Sequence, residues 1–96
     1  MSETIEAKAG PKGEVPLTFD GTLLEIFGVG PAGSLRLRAD GVRVKKKKKP
    51  DKDGGQVAYF LGDGMSGRVE LYFAPSELDN MQKMIDALLA AGAQPM

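Results

Sequence analysis

Apolar and polar residues alternate with period two through most of this chain, and the period becomes helical only near its end. Val69, Leu71 and Phe73 alternate with Arg68, Glu70 and Tyr72, which predicts a strand with one buried face. Pro75 lacks the N–H that a ladder needs and ends the strand. Ser76 suits an N-cap, and Asp79 three residues on completes a capping box and places negative charge at the positive helix end, so a helix is predicted from Glu77. At about 100° per residue, Leu78, Met81, Met84, Ile85, Leu88 and Leu89 fall on an arc of roughly 140°, with Asp79, Asn80, Gln82, Lys83 and Asp86 outside it. One face is core and the other is solvent. Gly92 supplies the left-handed C-terminal residue, and Pro95 prevents the helix from restarting.

Upstream, residues 1–14 are polar and broken by Gly10, Pro11 and Gly13, which reads as a disordered tail. Val15, Leu17 and Phe19 alternate in a short strand, Asp20-Gly21 signals a tight turn, and residues 22–27 return with Leu23, Leu24, Ile26 and Phe27 apolar on both faces. After GVGPAG, Leu35 and Leu37 alternate with Arg36 and Arg38, and a second turn signal, Asp40-Gly41, leads to Val42 and Val44 in what reads as another hairpin. KKKKKPDKDGG has no apolar residue and reads as a strand end plus loop, residues 56–61 as strand, and GDGMSG as the turn back. The expected fold is α+β: an antiparallel, bent sheet or partly open barrel of about six short strands in hairpins, closed by one C-terminal amphipathic helix. The expected boundaries are a tail at 1–14, a single domain at 15–92 and a short tail at 93–96.

Composition narrows the chemistry. Ninety-six residues suffice for one modest core. With no Cys and no His, disulfides, thiolate chemistry and the usual zinc ligand sets are excluded, and no cofactor is expected. No apolar run approaches the roughly 18 residues of a membrane span, and MSETIEAKAG is unlike a signal peptide, so the chain reads as soluble and cytoplasmic. Its 13 basic and 13 acidic residues balance, but they segregate. Arg36, Arg38, Arg43, Lys45, Lys46, Lys47, Lys48, Lys49 and Lys52 crowd a stretch that holds only Asp40 and Asp51.

Two motifs point elsewhere and fail on context. Gly28, Gly30 and Gly33 follow an apolar strand at the spacing of a dinucleotide-binding loop, but the residues after them alternate as a strand and leave no room for a crossover helix. Gly62, Gly64 and Gly67 repeat the spacing and the failure. Ser66 has no His for a base, and no pair of carboxylates stands at a spacing that would join them, so an enzyme is not expected.

The lysine run remains. It guards a sheet edge and solubilises a loop, or it meets phosphates of nucleic acid or anionic lipid. Aromatic residues are few and mostly at core positions, with Tyr72 the best exposed, which argues against stacking on single strands. The expectation is a small non-enzymatic binding or adaptor domain engaging a protein partner, with these nine cations as its anion-attracting face. Nucleic acid, anionic lipid and self-association through strand edges are the alternatives.

Successive hairpins closed by the ending VELYFAPSELDNMQKMIDALLAAG resemble the last strand and capping helix of small bacterial pleckstrin-homology-like domains. Such domains usually carry seven strands, against the six counted here. The resemblance implies a binding module whose basic loop contacts lipid phosphate or protein.

Overall fold

The computed structural model describes residues 4–28 and 33–96, which form eight strands and one α-helix. The first four strands, β1 (Ile5–Ala9), β2 (Val15–Phe19), β3 (Leu23–Phe27) and β4 (Ser34–Arg38), make an antiparallel meander in that order, sheet A. A 3₁₀ turn, Ala39–Gly41, carries the chain into sheet B. There β5 (Val42–Lys46), β6 (Gln56–Gly62) and β7 (Val69–Phe73) pair antiparallel. The helix α1 (Leu78–Ala90) follows, and β8 (Gln94–Pro95) returns to pair parallel with β5, making sheet B mixed.

Each strand buries one face because its apolar residues recur with period two. Leu17, Phe19, Leu24 and Ile26 of sheet A meet Val44, Phe60 and Phe73 of sheet B and Met84 and Leu88 of α1 in one core. The alternation of Val69, Leu71 and Phe73 is as expected, and so is the apolar arc of α1 except for Leu89, which is exposed.

Several expectations need correction. There are eight strands, not six, in two sheets. Ile5–Ala9, read as tail, is the outer strand of sheet A: it pairs along its length with β2, buries Ala7 and Ala9, and packs against α1. It is also tied to the helix start, where the Lys8 N–H donates to Glu77 Oε1 at 2.9 Å, and to sheet B, where the Gly10 N–H donates to the Tyr72 carbonyl at 2.6 Å. Asp40-Gly41 does not close a hairpin. Gly41 does not take the positive φ that a tight hairpin turn requires, so β4 and β5 diverge into different sheets. The helix begins at Leu78 rather than Glu77. Pro75 opens a 3₁₀ turn, Pro75–Glu77, and Ser76 makes no capping hydrogen bond. Of the 93–96 tail, Ala93 is buried and Gln94–Pro95 pair with β5.

The C-terminal end of α1 behaves as expected. Gly92 takes φ 113°, and this left-handed residue lets the Ala93 N–H reach the Leu88 carbonyl at 2.9 Å and the Gly92 N–H reach Leu89 at 3.3 Å. The chain is thereby turned back towards β5.

Candidate functional site

The nine cations expected to share a face divide among four places. Arg36 and Arg38 point outward from sheet A. The Arg36 Nε lies 3.1 Å from Glu25 Oε2, its cross-strand neighbour, and Arg38 Nε lies 3.4 Å from Asp40 Oδ1. Both ion pairs are exposed and contribute little stability, but they offset the two charges. Lys46 shares the strand parity of Val42 and Val44 and reaches α1, where its Nζ donates to Gln82 Oε1 at 2.6 Å. Lys47, Lys48, Lys49 and Lys52 lie in the connection between β5 and β6, all exposed. Arg43 and Lys45 alone stand on the outer face of sheet B.

That outer face holds the more informative cluster. β6 is apolar on both sides: Ala58 and Phe60 enter the core, whereas Val57, Tyr59 and Leu61 face out. The register places Arg43 opposite Leu61, Lys45 opposite Tyr59, and Tyr59 opposite Glu70. The guanidinium of Arg68 lies 4.0 Å from the centroid of the Tyr59 ring, and Lys45 Nζ lies 5.6 Å from it. These cations shield the ring, leaving 8 % of Tyr59 accessible. The result is a strip of apolar side chains roofed by Arg43, Lys45 and Arg68, with Glu70 as the acidic group at its edge.

Arg68 and Tyr59 were not among the candidate residues. The signal for Tyr59 was the run of residues 56–61, which puts large apolar groups on both faces of a strand that lies between β5 and β7.

Where the outer face meets the β5–β6 connection, the Tyr72 hydroxyl donates to Asp53, whose other oxygen accepts the Gly55 N–H at 2.9 Å. These two bonds, Tyr72 first, hold the Asp53 carboxyl below the ordinary carboxylate range. In return the Asp53 carboxylate pushes the Tyr72 phenol up to about 12. The stabilisation from Tyr72 is therefore complete below its unfolded value of about 10 and is lost as pH rises through about 12. That from Asp53 is present above about 3.9 and is lost as pH falls through its lowered folded value. In a Tyr59→Phe protein, where Tyr72 is the one remaining tyrosine, phenolate absorbance should appear with a midpoint near 12. Asp53→Ala should return that midpoint towards about 10. An unchanged midpoint in the alanine variant would show that the carboxylate is not its cause.

The GVGPAG loop is closed by the Gly28 N–H donating to the Gly33 carbonyl at 2.7 Å, and an antiparallel strand rather than a helix follows. Its residues 29–32, Gly30 included, lie outside the described residues. GDGMSG likewise joins the antiparallel pair β6 and β7. Among the described residues, no group of His, Cys, Asp and Glu is placed to hold a metal, and no helix is long and apolar enough to cross a membrane. No protein-family model matches this chain, and a search of the curated proteins returned no match.

Proposed function

We propose that this chain is a non-enzymatic binding module that engages an acidic segment of a protein partner through the outer face of sheet B. The observation that carries the reading is the outer face of β6, where Val57, Tyr59 and Leu61 lie outside the core cluster, the first two buried and Leu61 half-buried, beside Arg43, Lys45 and Arg68. The cations select an acidic partner and steer its approach, and the half-buried Leu61 adds apolar contact. Nucleic acid fits this face less well. The Tyr59 ring is already occupied by Arg68 and cannot stack on a base, and Glu70 repels phosphate. The exposed Lys47, Lys48, Lys49 and Lys52 support a second reading, in which the loop contacts phosphates of nucleic acid or lipid.

The pleckstrin-homology-like reading is part of the proposal. Seven strands of five or more residues followed by a helix support it, since β1 supplies the strand absent from the sequence count.

The test is capture from a lysate, with and without nuclease, at two salt concentrations, with the intact protein beside Arg43→Glu, Lys45→Glu, Arg68→Glu combined. A defined protein held by the first should bind the triple variant on the order of 100-fold more weakly, three contacts at about 1 kcal/mol each. Equal retention by both proteins would sink the assignment to this face. Retention only of nucleic acid, lost on nuclease treatment, would favour the lysine loop.

A further inference from the structure

Beside this face, where the β1–β2 turn, the β5–β6 connection and the start of the helix converge, lies a cleft of about 540 Å³. Pro11, Val57, Ala74 and Pro75 give it apolar walls, Tyr72 adds an aromatic one, and Asp51 and Asp53 supply its charge. Its size falls in the range of small-molecule sites, and its lining joins apolar walls to a few polar groups.

We infer that this cleft takes the side chain of an arginine presented by a partner polypeptide. Three observations argue for a cation with an apolar stem. Both charged groups lining the cleft are carboxylates, and neither Lys49 nor Lys52 lines it although they flank those carboxylates in sequence. Asp53 is spent on Tyr72 and the Gly55 N–H, whereas Asp51 contributes only backbone bonds among the described residues, its N–H to the Gly55 carbonyl at 2.8 Å and its carbonyl to the Gly54 N–H at 2.9 Å. The Asp51 carboxylate is thus available on a loop that is already held in place. A neutral apolar occupant would strip water from that carboxylate without replacing its hydrogen bonds.

Arginine fits better than lysine. Its planar guanidinium stacks on an aromatic wall and meets a carboxylate with two donors, and it sheds water more readily than an ammonium. The hydroxyl bond to Asp53 fixes the Tyr72 ring, and the phenol stays protonated well past neutral pH.

The intact protein, labelled with ¹⁵N, is titrated with Nα-acetyl-arginine amide and followed by amide shifts. Saturable shifts at Gly54, Gly55, Val57, Tyr72 and Ala74 are expected. Nα-acetyl-norleucine amide, which keeps the stem and lacks the charge, should bind at least tenfold more weakly, and the lysine analogue should fall between the two. Asp51→Asn should weaken arginine binding about tenfold while leaving the spectrum away from the cleft unchanged, because among the described residues no hydrogen bond uses that carboxylate. Equal binding of norleucine, binding that survives Asp51→Asn, or shifts spread without saturation over exposed acids such as Glu70 and Asp86 would each overturn the assignment. The Arg43, Lys45 and Arg68 substitutions do not touch this cleft, so the two sites stand or fall separately.

Discussion

Removing residues 1–9 is expected to abolish cooperative unfolding at ordinary temperature. The deletion takes away the five-residue ladder to β2, the buried Ala7 and Ala9, and the strand against which α1 packs. Exposing about 200–300 Å² of apolar surface at about 25 cal/mol per Å² costs about 5–7.5 kcal/mol, comparable with the whole stability of a domain this size. Circular dichroism with heating reads the outcome directly. A truncated protein that melts within a few degrees of the intact one would show that β1 is ornamental. Ala9→Asp is the finer probe: it leaves the chain whole, sets a carboxylate where no accessible surface remains, and should destabilise by about 3 kcal/mol or more.

Adjacent positions on β6 should separate stability from binding. Phe60 is buried between the sheets and α1, and Phe60→Ala should cost about 3–5 kcal/mol through lost transfer energy and a residual cavity. For a chain of this length that lowers the melting temperature by on the order of 15 °C. Tyr59 faces the other way. Tyr59→Leu keeps an apolar side chain and removes the ring beneath Arg68, so it should cost about 1–2 kcal/mol, less than Phe60→Ala, and weaken partner capture. If both variants lost stability equally, the outer face would be core by another name and the proposed docking strip would have no basis.

These tests bear on what the amino-acid pattern did and did not reveal. The helix arc, its Gly92 terminus and β7 were legible because large side chains and one left-handed glycine leave strong local signals. β1 alternates too, with Ile5, Ala7 and Ala9 against Glu6 and Lys8, but alanine buries little area and favours strands weakly, so the glycines and proline after it dominated the reading. Asp40-Gly41 carries a hairpin dipeptide, yet whether it closes a pair or passes between sheets depends on tertiary partners that no window of sequence contains. β8 is two residues long and exists because Gly92 turns the chain towards β5, a pairing between residues some fifty apart. At the site, charge density was read from consecutive lysines. The arrangement depends instead on register, which joins Lys45 to Tyr59 and brings Arg68 from a different strand end.

The 3₁₀ turn at Ala39–Gly41 has a consequence for how the chain is made. Every ladder of sheet A joins neighbours in sequence and lies upstream of that turn, so all its pairing partners are in hand once residue 38 has left the ribosome. The layer that dries its inner face is completed only with Leu88, and at about 5–20 residues per second those fifty residues take roughly 2.5–10 s. For that interval Leu17, Phe19, Leu24 and Ile26 form an open apolar surface on a nearly finished sheet. An apolar face on sheet A thus stays open through the synthesis of sheet B and is covered only when the helix arrives.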